Sequence, residues 1–184
     1  MSESYKKALF LDRDGVVNKD FDYVFRMEDF HFQEGIIELC QKANDKGYLI
    51  FIITNQAGIA RGYYTERQFI LLTKWMLREF KKKNVLIRKV FYCPYHYEEG
   101  VGKYKRHSNF RKPNPGMILK AARRYSIDLS RSILIGDQYS DIKAGLLAGV
   151  EKNLLILSPK IKITIKDLDA IEIHNLRDAL SFLI

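Results

Sequence analysis

Two aspartates two residues apart close an apolar run near the start of the chain. Ala8-Leu9-Phe10-Leu11 stops at Asp12, Arg13, Asp14 and Gly15. Polar endings of the same kind recur. The run from Tyr48 to Ile53 leads into Thr54, Asn55 and Gln56, and Ser132 to Ile135 leads into Gly136 and Asp137, with Asp141 one helical turn on. Arg111-Lys112 lies between these two endings in sequence. Carboxylates gathered at one point repel each other unless a cation joins them. Their hard oxygens suit Mg²⁺, which keeps several waters and completes its shell with a substrate phosphate. A carboxylate can also act as a nucleophile and carry a phosphoryl group. Phosphoryl transfer asks mainly for positioning and charge neutralisation, and Lys112, Thr54 and Asn55 are suitable donors. A Gly-x₄-Gly-Lys-Ser/Thr segment is missing, which argues against a P-loop kinase.

For these residues to meet, the elements carrying them must lie side by side. Fully apolar four-to-six-residue runs read as strands buried on both faces of a parallel sheet. Strands are expected at 8–11, 48–53, 88–92, 132–135 and 154–157, with a short sixth at 171–173. Helices are expected at 35–46, from the capping box Thr65-Glu66-Arg67-Gln68 to about 83, from Asn114-Pro115 to about 125, from 139 or 140 to 148, and from about 175 onward. Residues 57–64 read as a loop, 16–32 as a small hairpin or flap, and 94–114 as a long basic irregular stretch, a length that usually carries function. Strand and helix alternation implies right-handed crossovers and an α/β, Rossmann-like doubly wound parallel sheet, with ligands outside the carboxyl ends of its strands. At such a strand end, alternation would aim Arg13 away from both Asp12 and Asp14.

Composition bounds the partners. The 184 residues are expected to form one domain, residues 1–184. The net charge of +9 fits a nucleic-acid partner, an anionic small substrate or a basic background. Its runs are short and scattered rather than gathered on one element, which favours an anionic substrate over nucleic acid. Two cysteines, Cys40 and Cys93, make no disulfide framework, and Cys40 falls on an apolar helix face. Neither a signal-peptide core nor a membrane-spanning run is present, so a cytoplasmic location is expected.

Asp12-Arg-Asp-Gly15, Ile53-Thr-Asn-Gln56, Lys112-Pro113 and Gly136-Asp137-x-x-x-Asp141 together resemble the four motifs of the haloacid dehalogenase (HAD) superfamily phosphatases. The segments 54–62, 92–96 and 111–117 resemble the branch acting on heptose bisphosphates and histidinol phosphate. Within it, Gly58-Ile-Ala-Arg-Gly62 favours the heptose side, which works in nucleotide-activated heptose biosynthesis. The resemblance implies a capless HAD fold and a monomeric, Mg²⁺-dependent phosphomonoester hydrolase acting on a phosphorylated sugar, with the β anomer expected. It implies that Asp12 attacks the C7 phosphate and that Asp14 shuttles the proton. Asp12, the Asp14 carbonyl and Asp137 would hold Mg²⁺. Thr54, Asn55 and Lys112 would bind the phosphoryl oxygens. Gln56, Arg61 and Arg111 would contact substrate, Arg111 gripping a second phosphate or sugar hydroxyls, and Asp141 would orient Lys112 or a metal-bound water. Rivals are a histidinol-phosphate or other phosphomonoester phosphatase and, more distantly, a nucleic-acid 3′-phosphatase.

Two positions depart from the pattern. Many relatives hold a structural zinc in the loop after the third strand, but here Tyr95, Ser108 and Phe110 stand at three of the ligand positions. Cys93, His96 and His107 would supply only three ligands of the four a tetrahedral site needs. No zinc is expected, and packing among Tyr95, Tyr97, Tyr104 and Phe110 is expected to order the loop instead. Gln138 replaces a frequent lysine after Asp137.

Overall fold

The computed structural model describes residues 5–157 and 169–184. Six parallel strands form one sheet in the order β3-β2-β1-β4-β5-β6: β1 (Ala8–Leu11), β2 (Leu49–Asn55), β3 (Ile87–Cys93), β4 (Ile133–Gly136), β5 (Lys152–Ile156) and β6 (Ile171–Ile173). The chain starts in the middle, builds outward through β2 and β3, and then returns to the other side of β1 with β4. That reversal opens a crevice at the carboxyl ends of β1 and β4, where α/β sheets bind ligands. Asp12 follows β1 and Asp137 follows β4, so each flanks the crevice directly.

Alternation along the strands explains why both faces of the sheet are covered. Leu9, Leu11, Ile50, Ile52, Ile133 and Ile135 face one side, with α1 (Ile36–Asp45) and α3 (Glu66–Lys82) packed over them. Phe10, Phe51, Ile53 and Leu134 face the other, under α4 (Gly116–Tyr125) and α5 (Tyr139–Ala148). Phe51 anchors the second face, with ring centroids 5.5 Å from Phe10, 6.2 Å from Phe91 and 5.1 Å from Tyr125. The capping box of α3 forms as expected: Gln68 N–H donates to Thr65 Oγ1 at 3.2 Å, and Thr65 N–H to Gln68 Oε1 at 2.8 Å.

Several boundaries differ from expectation. β2 runs on through Thr54 and Asn55, because β3 pairs with it as far as Cys93 opposite Asn55. The expected loop 57–64 contains a short helix, α2 (Ala57–Ala60), whose Gly58, Ile59 and Ala60 are buried. Pro115, not Asn114, occupies the N-cap of α4, with no side-chain cap; the Asn114 amide donates to the Ser108 carbonyl at 3.3 Å. The last element is a 3₁₀ turn, Asp178–Phe182, rather than an α-helix. Residues 16–32 form no hairpin. A single antiparallel bridge joins Asn18 to Phe32, while Val16, Val17, Val24 and Phe30 sink into the core. No helix among the described residues is long and apolar enough to cross a membrane.

Phe51 is fully buried between three other aromatic rings. Phe51→Ala is expected to lower unfolding free energy by about 3–5 kcal/mol, measured by urea denaturation. A loss below about 1 kcal/mol would show that this face does not hold the sheet.

Candidate active site

Lys112 is the point where the strand ends meet. Its ammonium is buried and lies 2.7 Å from Asp12 Oδ1 and 2.5 Å from Asp141 Oδ1, and it donates to the Ile53 carbonyl at 3.0 Å. Its backbone is fastened separately: Asn55 Nδ2 donates to the Lys112 carbonyl, and Lys112 N–H donates to Asn55 Oδ1, both at 3.0 Å. Lys112 therefore reaches into the crevice although it arrives on the long irregular segment. Asp141 is oriented from behind, its Oδ2 accepting from the Gln138 backbone N–H at 3.0 Å as part of a capping box on α5.

Asp12, Asp137 and Asp141 bring ligand oxygens within 4.8 Å of one another, all buried. Burial raises the Asp12 carboxyl well above its usual range, and Asp141 adds to this against the opposing pull of Lys112. Asp137 is pushed up to about 7, by burial first and then by Asp141. Burial pulls the Lys112 ammonium down, but Asp12 and Asp141 more than reverse that and leave it raised. Two of the three buried carboxylates, Asp12 and Asp141, thus share one ammonium, and Asp137 Oδ1 is buried with no hydrogen-bond partner. A hard divalent cation fits this donor set: all-oxygen ligands, excess negative charge and an unpartnered oxygen.

Close backbone approaches shape the floor. Gly15 has φ +90°, and a Cβ there would sit 2.1 Å from Asp137 Oδ2. At Gly136 a Cβ would come within 2.2 Å of the Asp141 Cβ.

Asp14 stands at the mouth. Its Oδ1 accepts from Arg13 Nη2 at 2.6 Å, Arg13 Nε at 3.1 Å and Asn18 Nδ2 at 3.1 Å; its Oδ2 accepts from Gln56 Nε2 at 3.2 Å. Arg13 therefore turns onto Asp14, against the expectation that it points away. β1 ends at Leu11, so strand alternation no longer governs residue 13.

The cavity over these groups has a volume of about 380 Å³ and is lined by Asp12, Asp14, Tyr23, Thr54, Arg111 and Lys112, among others. Half-buried Arg111 donates to the Tyr95 carbonyl at 3.3 Å. Two expected substrate contacts lie elsewhere. Gln56 is buried, with its amide engaged by Asp14, by Thr54 Oγ1 at 2.8 Å and by the Tyr64 hydroxyl at 2.6 Å, so it braces the site from behind. Arg61 pairs with Glu99 and the Tyr23 hydroxyl, tying the two rim segments together. Asn55 lines the cavity, and its side chain also bonds the Lys112 backbone from both its amide nitrogen and its carbonyl oxygen.

The long segment after β3 is ordered by aromatic contacts. Tyr95 and Tyr104 have centroids 6.2 Å apart, Arg106 lies 3.8 Å over the Tyr95 ring, and the Tyr104 hydroxyl donates to Glu66 at 3.0 Å. Of the three residues considered as zinc ligands, His107 stacks on Tyr97 with ring centroids 3.8 Å apart and His96 Nδ1 accepts from the Glu99 N–H at 3.2 Å.

Sequence reasoning missed the Arg13 contact and the Gln56–Tyr64 brace. A charged residue wedged between two acids, inside an otherwise apolar stretch, was the available signal for the first. Nothing local announced the second.

Comparison with known proteins agrees with this geometry. A family model described as HAD-hydrolase-like matches residues 109–160. Over 177 residues the chain is 49% identical to the D-glycero-alpha-D-manno-heptose-1,7-bisphosphate 7-phosphatase of Burkholderia mallei, covering 96% of this chain and 93% of that protein. The chain belongs to the heptose-1,7-bisphosphate 7-phosphatase family of HAD phosphatases. Another member, the D-glycero-beta-D-manno-heptose-1,7-bisphosphate 7-phosphatase of Haemophilus influenzae, is 43% identical over 154 residues, covering 84% of this chain and 83% of that one. The crystal structure of D,D-heptose 1,7-bisphosphate phosphatase from B. bronchiseptica, complexed with magnesium and phosphate, superposes with a TM-score of 0.83 at 27% identity, covering 96% of this chain and 97% of that one.

The glycine at the floor gives a direct test. Gly15→Ala is expected to lose activity and at least about 2 kcal/mol of stability, because it adds a clash to the left-handed backbone cost. Gly62→Ala, at φ +77° with no atom within 4 Å of the added Cβ, carries only the backbone cost of about 1–2 kcal/mol and keeps its activity. Equal denaturation midpoints and equal turnover in the two variants would contradict the packing argument.

Proposed function

We propose that the chain is a Mg²⁺-dependent phosphatase that removes the C7 phosphate of D-glycero-D-manno-heptose 1,7-bisphosphate through an aspartyl-phosphate on Asp12, within one catalytic domain acting in the cytoplasm. The observation carrying this reading is the buried Asp12–Lys112–Asp141 chain beside an unpartnered Asp137 oxygen, with a second carboxylate, Asp14, at the mouth.

An Asp12 oxygen forms a bond to phosphorus as the bond from phosphorus to the C7 oxygen breaks. Asp14 gives its proton to the departing oxygen. A water oxygen then attacks the same phosphorus while the Asp14 carboxylate takes its proton, the bond to Asp12 breaks, and inorganic phosphate leaves. Lys112 and Thr54 face the phosphoryl oxygens, and Lys112 keeps its charge because two carboxylates hold it. Asp12, Asp137 and the Asp14 carbonyl would hold Mg²⁺, which when bound offsets the crowded negative charge and that of the transferring group. Arg111 would grip the substrate's second phosphate, a role supported by its half-buried position in the cavity lining and its bond to the Tyr95 carbonyl. The product would feed nucleotide-activated heptose synthesis.

The more similar of the two relatives carries the α-anomer name and the less similar one the β, so the α anomer is proposed as the preferred substrate, in place of the β anomer expected from sequence. Phosphate release should be measured on both anomers, histidinol phosphate, p-nitrophenyl phosphate and a 3′-phosphorylated oligonucleotide. The highest kcat/KM is expected on the α heptose bisphosphate; a higher value on histidinol phosphate or DNA would overturn the assignment. Asp12→Asn should lower kcat by on the order of 10⁴-fold or more. Chelation should abolish turnover and added Mg²⁺ restore it; full activity in excess chelator would refute the metal requirement.

A further inference from the structure

Arg13 heads the fully buried side chains by size, at 1% exposure. A buried guanidinium is a poor stabilising device, because desolvation offsets much of what its partners return and an apolar side chain of similar volume does as well. Here the pairing is also incomplete, since Nη1 is buried without a partner. What Arg13 does achieve is directional. Nη2 and Nε both reach Asp14 Oδ1, at 2.6 and 3.1 Å, and Nη2 also donates to the Val24 carbonyl at 2.7 Å. The guanidinium also lies over the Phe69 ring of α3, 5.7 Å from its centre. Asn18 adds a third donor to Oδ1. Oδ2 receives one contact, the longer 3.2 Å bond from Gln56.

We infer that Arg13 is a positioning residue for proton transfer at Asp14: it saturates Oδ1 and leaves Oδ2 as the oxygen that gives and takes the proton. The inference rests on the acid–base role proposed for Asp14. With Oδ1 held by three donors, rotation that would exchange the two oxygens is blocked. The proton passes from Oδ2 to the departing C7 oxygen as its bond to phosphorus breaks, and the same Oδ2 later accepts the proton of the attacking water.

A leaving group that needs no proton separates this from a merely structural role. kcat/KM reports the first phosphoryl transfer, so each variant is measured on heptose bisphosphate, whose sugar alkoxide must be protonated, and on p-nitrophenyl phosphate, whose leaving group need not be. Arg13→Met fills a similar volume without donors. It is expected to lose about 100-fold or more on the sugar phosphate, at most about one-tenth of that factor on the aryl phosphate, and little in melting temperature. Arg13→Gln, which keeps one donor, should recover part of the loss and replaces the Met variant if that variant does not fold. Equal losses on both substrates, or none on either, overturn the inference. Asp14→Asn serves as the reference: if its own loss is the same for both substrates, the acid role of Asp14 fails. A selective Asp14→Asn beside an unselective Arg13 variant overturns the Arg13 role alone.

Discussion

Lys112 holds a buried ammonium within 2.7 Å of Asp12 and 2.5 Å of Asp141, among three carboxylates that could not otherwise be packed so closely. At such separations in a region sheltered from water, unscreened carboxylates drive each other toward the neutral form. Burial first, and the neighbouring Asp141 second, push Asp12 and Asp137 upward, and Lys112 offsets only part of this. The surrounding fold serves this charge arrangement. The strand order brings the ends of β1 and β4 together, Asn55 at the end of β2 fastens the lysine's backbone, and the first turn of α5 aims Asp141 at it. Gly15 and Gly136 let the backbone come close enough for the carboxylates to converge.

A second layer of contacts surrounds Asp14. Arg13, Asn18, Gln56 and Tyr64 form a connected set of polar side chains, and Arg13, Asn18, Gln56 and Tyr64 are all buried. Most of their buried polar atoms are paired within the set, which is what makes such groups tolerable, although Arg13 Nη1 and Asn18 Oδ1 remain without partners. The two aspartates, only two residues apart, thus sit in different surroundings: Asp12 inside the charge cluster, Asp14 in a ring of donors opening to the cavity.

The strands and the convergence of the acids were legible in the sequence because uninterrupted apolar runs such as Leu49–Ile53 have few alternatives to a buried parallel strand, and a parallel strand order forces their carboxyl ends onto one edge. Less legible was anything settled by contacts across the molecule. The last turn came out 3₁₀ although its composition suited a helix, and α2 hides in a stretch whose glycines read as a loop. Asn55 and Gln56 were recognised as belonging to the site, but a motif shows only that a residue is near the chemistry. Whether its amide faces substrate or a neighbouring backbone depends on residues more than 50 positions away, as with Asn55 and Lys112. The orientation of Arg13 differs for a simpler reason: alternation does not carry two residues past the end of a strand that stops at Leu11.

The attachment of Lys112 to Asn55 joins side chain to main chain. It asks nothing of the side chains between residues 94 and 111. That long segment can therefore vary its internal support, here aromatic contacts such as Tyr95 on Tyr104, without displacing the ammonium from its place. The reacting centre is insulated from drift in the loop that delivers its lysine, so variation in that loop can reshape the cavity rim while the phosphoryl chemistry stays fixed.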